Sequence, residues 1–232
     1  MELEKVQKMD AHELLAYVFD EFGEKVAIAS SFGAEDVVLI DIASRLTPKP
    51  RIFTLDTGRL PQETYELMEK VREKYGLQID VYFPDREKVE EMVKKYGPNL
   101  FYRSVDLRKL CCRIRKVEPL KRALSNLSAW ICGLRREQSP TRSSISKVEV
   151  DEANGGILKI NPLADWTTED VWNYIRKNNV PYNALHDKGY PSIGCLPCTR
   201  AVKPGEDIRA GRWWWEKPEQ KECGLHERRK HG

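Results

Sequence analysis

The chain has 232 residues, 41% of them hydrophobic, and a net charge of +3 from 39 Lys and Arg against 36 Asp and Glu. That length builds one full-sized core without a second domain, and the near-balance of charge argues against a general nucleic-acid binder. No run of about 18 apolar residues offers a membrane span, and the charged stretch from Met1 to Asp10 lacks the apolar core of a secretory signal, so the expected location is the cytoplasm.

In chain order, residues 11–22 place Leu14, Leu15, Val18, Phe19 and Phe22 on one helical face, and Gly23 stops the helix. Val26 to Ser30 is a short apolar run of the kind buried on both faces of a sheet. A loop at 31–36 leads into a helix over 37–45. The alternation repeats: a strand at 51–55, a turn at 56–60, a helix from Pro61 to about Tyr75, a strand at 79–83 and a helix at 86–96. This rhythm implies right-handed crossovers in a single Rossmann-like α/β domain, its mainly parallel sheet flanked by helices.

Beyond Pro98 the spacing predicts a basic helix over 107–124 and a strand at 128–132 that breaks at Gly133. A hairpin pairs 146–151 with 157–160 around Asn154-Gly-Gly156. A helix follows at 168–178, capped by Thr167 or Thr168, with Glu169 and Asp170 in its first turn. From Val180 onward Pro, Gly and charge predict an irregular, mobile region.

Three junctions carry groups suited to an anion. The first strand runs into Ser30, Ser31, Phe32 and Gly33, where helix N-terminal amides and hydroxyls suit a phosphate. A capped helix start would use the same residues, and neither a Walker A loop nor G-x-G-x-x-G is present. The second strand ends in Leu55, Asp56, Thr57 and Gly58, placed either to hold a sugar or base or to form a self-bonded turn. The third begins at Gly133 and carries Arg135, Arg136 and Arg142, whose planar forks match phosphate or sulfate, although a solvated basic loop reads the same way. Further on, Arg209 and Arg212 run into Trp213-Trp-Trp215, as an anion clamp or a packed tryptophan cluster.

Six cysteines in a chain read as cytoplasmic favour metal ligands or catalytic thiols over disulfides. Cys195 and Cys198 form C-x-x-C, and with Cys111 and Cys112 they supply the four thiolates of a zinc or [4Fe–4S] site. An adjacent pair does not fit zinc spacing, which favours a cluster. Arg108, Lys109, Arg113, Arg115 and Lys116 would offset the charge of such a centre. Cys132 lies in an apolar strand and reads as core. Cys223 lies in a polar tail beside His226, Arg228, Arg229 and Lys230, which suit a thiolate nucleophile.

Taken together, Ser31-Phe-Gly-Ala-Glu-Asp36, Leu55-Asp-Thr-Gly58, the two cysteine pairs and Glu222-Cys-Gly-Leu-His226 resemble the phosphoadenylyl-sulfate/adenylyl-sulfate reductase family, in family order. The resemblance implies an adenine nucleotide alpha hydrolase-like fold. It implies a nucleotide- and cluster-binding domain over 1–202 and a catalytic tail over 203–232. Members with both cysteine pairs bind a [4Fe–4S] cluster and typically reduce adenylyl sulfate (APS); those without them reduce the 3′-phosphorylated form (PAPS). By this likeness Cys223, with His226 beside it, attacks the sulfur of adenylyl sulfate, expels AMP and keeps a thiosulfonate. Thioredoxin or a similar dithiol protein then releases sulfite. Arg135, Arg209 and Arg212 would contact phosphate or sulfate, and Lys116 would lie between substrate and cluster. No nucleic-acid or membrane partner is expected, and a homo-oligomer is compatible. The competing classes are an ATP-pyrophosphatase type enzyme, from whose loop Phe32, Ala34 and Glu35 depart, an iron–sulfur redox sensor, and a zinc-bearing nucleic-acid binder.

Overall fold

The computed structural model describes residues 3–139, 142–217, 220–221 and 224–225. Apolar segments without polar alternation need cover on both faces, and here they form the sheet interior. β1 (Val26–Ala29), β2 (Ile52–Leu55) and β4 (Ala129–Ile131) lie centrally, with β3 (Asp80–Tyr82), β5 (Val148–Asp151) and β6 (Ile157–Ile160) outside them. The order is β3-β2-β1-β4-β6-β5. All neighbours pair in parallel except β5, an antiparallel edge that sets Val148 opposite Ile160 and Asp151 opposite Ile157. This is the mainly parallel α/β sheet expected from the sequence.

Strand side chains alternate, so each face collects its own core. On one face Ile28, Ile131 and Ile160 pack with Leu14 and Leu15 of α2 (Ala11–Phe22) and with α3 (Ala34–Leu46), whose residues 36–43 are all buried. On the other face Ala27, Phe53 and Trp130 meet Leu120, Ala123 and Leu124 of α7 (Glu118–Leu124). A third cluster joins Met92 of α5 (Arg86–Tyr96) to Cys111 and Cys112 at the end of α6 (Val105–Cys112) and to Trp213. The remaining helices are α1 (Leu3–Lys8), α4 (Gln62–Tyr75) and α8 (Thr168–Asn178). Among the described residues no helix is long and apolar enough to cross a membrane.

Three elements differ from the sequence reading. α1 is unforeseen, being mostly polar with Val6 as its buried anchor. α3 begins at Ala34 rather than 37, because Asp36 folds back and caps its own first turn. The helix expected over 107–124 starts at Val105 and is interrupted by a π turn at Arg113–Val117. The chain leaves β1 toward β2 on one face and reaches β4 from the other. The strand order therefore reverses between β1 and β4, and a crevice opens at their carboxyl ends.

Candidate active site

A cavity of about 790 Å³ fills that crevice. Its floor is the β1–α3 junction. Phe32 sits at φ +59 and is fully buried, a conformation that costs a non-glycine residue on the order of 1–3 kcal/mol and is held by the core around it. That turn sends the Phe32 ring inward and leaves Ser30, Ser31 and Gly33 lining the cavity. The loop's donors are engaged within the protein. Asp36 Oδ2 accepts from Ser31 N (2.6 Å), Ser31 Oγ (2.8 Å) and Gly33 N (3.3 Å), and Ser30 Oγ accepts from Phe32 N (3.1 Å). Burial raises the Asp36 carboxyl to about 6, with Glu35 adding to the rise and the Ser31 bonds opposing it.

At the end of β2, Leu55 and Thr57 line the cavity. Phe32, Asp56 and Gly58, expected at the substrate, do not. Asp56 Oδ1 is spent on Gly58 N (2.8 Å) and Tyr65 OH (2.9 Å), the self-bonded turn. Gly58, at φ +68, faces Phe83 and Arg115, and a Cβ there would come within 3.1 Å of Phe83. At the end of β4, Gly133 and Arg135 line the cavity. A Cβ on Gly133 would stand 2.6 Å from Asp36 Oδ1 and 2.7 Å from Glu35 Cβ, so glycine lets this strand end approach α3. Arg135 is buried and bonds Glu35 (2.9 Å), Glu137 (2.9 Å), Trp166 O (3.1 Å) and Thr168 Oγ1 (3.2 Å), which makes it a tie between α3 and α8 in this arrangement.

Next to the cavity lies a smaller pocket lined by Cys111, Cys112, Cys195 and Cys198, all buried and unbridged. Cys111 and Cys112 come from the end of α6. The other two come from a tight turn in which Cys198 N donates to Cys195 O (2.9 Å) and Thr199 Oγ1 donates to the same oxygen (3.0 Å). Thr57 Oγ1 is 3.2 Å from Cys195 Sγ, so the β2 turn serves this pocket as well as the cavity. Burial pushes the Cys198 thiol up to about 12, with Cys195 adding to the rise and Lys116 opposing it; burial also raises Cys111, against Arg115. Among the described residues no group of three or more His, Cys, Asp or Glu is gathered closely enough to hold an ion.

Of the basic residues expected here, Arg108, Arg115 and Lys116 line the pocket, whereas Lys109 and Arg113 are exposed and do not line it. Arg59, far away in sequence, joins them and was not foreseen. Lys116, in the π turn, lines both the thiol pocket and the large cavity. Trp213 does the same: at φ +42 its ring lies between Arg108 and Arg212, each guanidinium carbon 4.8 Å from the ring centre. Arg212 packs where a Cβ on Gly194 would fall, donates to Ile193 O (3.2 Å) and lines the cavity with Arg209. Arg108 is buried against Glu216 (2.9 and 2.6 Å), which anchors the C-terminal segment to the thiol pocket. Cys223 and His226 lie outside the described residues, while Leu225 lines the cavity. Cys132 is buried, as expected of a core residue.

Solved structures of similar fold include a phosphoadenylyl-sulfate (PAPS) reductase from Candida auris, with a TM-score of 0.73 and 31% identity over 86% of this chain and 96% of that one. An FMN adenylyltransferase from Candida glabrata, at 15% identity and a TM-score of 0.59, shares the fold alone. In sequence, an adenosine 5′-phosphosulfate reductase from Allochromatium vinosum is 57% identical over 218 residues, 94% of this chain and 84% of its own length. The chloroplastic 5′-adenylylsulfate reductase 3 of Arabidopsis thaliana is 51% identical over 92% of this chain, which spans 48% of that longer protein. The family model for the phosphoadenosine phosphosulfate reductase domain matches residues 25–201, from β1 through the second cysteine pair, and the chain belongs to that family.

Proposed function

We propose that the chain reduces adenylyl sulfate to sulfite and AMP in the cytoplasm, as a step of sulfate assimilation, with thioredoxin or a similar dithiol protein as reductant. The observation that carries this reading is the abutment of the switch-point cavity on a four-thiol pocket, with Lys116 in the wall of both. Relatives at 50–57% identity bear the name adenosine 5′-phosphosulfate reductase, which favours adenylyl sulfate over its 3′-phosphorylated form.

The Cys223 thiolate attacks the sulfonyl sulfur. An S–S bond forms, the bond from sulfur to the phosphate oxygen breaks, and AMP leaves with that electron pair. A thiolate of the reductant then attacks Cys223 Sγ, sulfite leaves with the S–S electrons, and the second thiol of the reductant closes its own disulfide and frees Cys223. Lys116, Arg209 and Arg212 line the cavity and would balance the charge of the phosphosulfate, while Ser30, Ser31, Gly33, Leu55, Thr57, Gly133 and Arg135 would shape the nucleotide seat. His226 would stabilise the Cys223 thiolate. Leu225, two positions after Cys223, lines the same cavity, which supports a nucleophile delivered by the tail over 203–232 onto the domain over 1–202.

The donor set suits a [4Fe–4S] cluster: four thiols converge on one buried pocket whose wall carries Arg59, Arg115 and Lys116. When bound, the cluster would supply a fixed, charged platform beside Lys116. The test measures iron, labile sulfide and zinc, and then sulfite release from adenylyl sulfate and from its 3′-phosphorylated form. Four irons and four sulfides with a preference for adenylyl sulfate are expected. Stoichiometric zinc would remove the cluster, and the opposite preference would move the chain to the second substrate. Cys223→Ser is expected to bind AMP and release no sulfite; full activity would refute the nucleophile.

A further inference from the structure

Arg59 follows the β2 turn and stands in the wall of the thiol pocket without lining the large cavity. Its amide donates to Thr57 Oγ1 (3.2 Å), the hydroxyl that lies against Cys195 Sγ. Its carbonyl accepts from Leu196 N (2.8 Å), inside the turn that carries Cys195 and Cys198. Its guanidinium grips the segment that leads into α6 and the other cysteine pair. There Nη1 donates to Pro98 O (2.6 Å), Nη2 donates to Asn99 Oδ1 (3.1 Å), and the guanidinium carbon lies 5.2 Å from the centre of the Phe101 ring. Tyr102 closes the circuit, its hydroxyl donating to Pro197 O (2.6 Å).

These contacts fix the side chain without an acidic partner. Arg108, in the same wall, is paired with Glu216. Arg59 bonds only neutral oxygens, and among the described residues it has no carboxylate partner. A half-buried cation held this way keeps its charge uncompensated, and away from bulk water that charge acts strongly on whatever fills the adjoining pocket. The four thiols there bind metal only as thiolates, and four thiolates outweigh the positive charge of a [4Fe–4S] core. The bound centre is therefore an anion beside a cation that lacks one.

We infer that Arg59 is a positioning residue for the cluster, its uncompensated charge retaining the anionic iron–sulfur centre from a wall that does not line the nucleotide cavity. This rests on the reading of the four-thiol pocket as a [4Fe–4S] site.

The test is the rate of iron release from the anaerobically loaded full chain to a ferrous chelator, followed through loss of the thiolate-to-iron absorption. Arg59→Met keeps the length of the side chain and deletes its charge; Arg59→Lys keeps the charge and loses the fork. Groups just outside a metal's ligands change its affinity by about 10–100-fold, so Arg59→Met should release iron roughly tenfold faster than wild type. Arg59→Lys should recover most of that loss. AMP affinity of loaded Arg59→Met should match wild type, because Arg59 does not line the cavity. An unchanged release rate for Arg59→Met overturns the assignment, as does a parallel loss of AMP binding, which would mark general damage. Release from Arg59→Lys as fast as from Arg59→Met also overturns it, because the bonds to Pro98 and Asn99 would then be the whole role. If Arg59→Met does not load, Arg59→Lys decides: a loaded, slowly releasing protein supports the charge, and a second failure to load overturns it. Wild-type protein that holds zinc, or no iron, fails the cluster reading itself.

Discussion

Replacing Glu216 by alanine would strand the Arg108 guanidinium. The pair is bidentate, at 2.9 and 2.6 Å, and its side chains are 0% and 2% exposed. Removing one partner of a buried pair typically costs about 3–5 kcal/mol, because the remaining charge keeps its desolvation penalty without its Coulomb partner. Arg108 would retain Gln220 O (2.5 Å) and the Trp213 face, which places the expected loss near the lower figure, about 3 kcal/mol. For a chain of this size that lowers Tm by roughly 6–12 °C. The assay is thermal unfolding of the metal-loaded protein under anaerobic conditions, with two comparisons. Glu63→Gln, which breaks the exposed pair with Lys188, should cost less than about 1 kcal/mol. The double variant Arg108→Met with Glu216→Leu should recover most of the stability, since an apolar pair of similar volume carries no desolvation penalty. A Tm within about 2 °C of wild type for Glu216→Ala, or a double variant no better than the single one, would refute the reasoning.

Two further outcomes follow from the cavity floor. Burial holds Asp36 near 6, above its unfolded value of about 3.9, so the folded state takes up a proton more readily than the unfolded chain. Its contribution to stability is full below the unfolded value and is lost as pH rises through about 6. The Tm of wild type measured against Asp36→Asn should therefore fall between about pH 4 and pH 6 and level off above about pH 7; parallel profiles would exclude the assignment. Gly133→Ala forces a methyl against the first turn of α3, where the neighbours at 2.6 and 2.7 Å belong to a buried, self-capped loop. A loss of about 1–3 kcal/mol in urea unfolding and weaker AMP binding are expected, and unchanged values for both would contradict the geometry.

Much of the fold is legible because its signals are local. The strands are short apolar runs closed by Gly, Pro or charge, and α8 announces itself through Thr167, whose hydroxyl accepts from Asp170 N (3.1 Å). Residues from each predicted junction also reach one cavity, because successive strand ends of an open parallel sheet share an edge. The reading falls short where one pattern serves two geometries. A loop that presents amides to a phosphate and a loop that presents them to its own aspartate both contain Ser31, Gly33 and Asp36. Asp56 can hold a ribose or its own turn, and the structure shows the turn. Contacts between distant segments leave no trace in local pattern, which hid Arg59 at the thiol pocket. Lys109 and Arg113 show the reverse, since proximity in sequence to a cysteine does not decide whether a charge lines the pocket or stands in solvent.

The π turn at Arg113–Val117 has a consequence for which kinds of sequence change this region tolerates. A π turn holds an extra residue, so the helix beyond it is rotated by about 100° relative to a continuous α-helix. With that offset Cys111 and Cys112 face the thiol pocket while Leu120, Ala123 and Leu124 face the sheet. Substitution of an exposed residue such as Arg113 leaves that phase intact. Deletion of any single residue between 113 and 117 would remove it, turning the cysteines or the apolar trio away from their partners. In this segment the spacing between the cysteine pair and the apolar trio is constrained more tightly than the identity of the exposed residues between them.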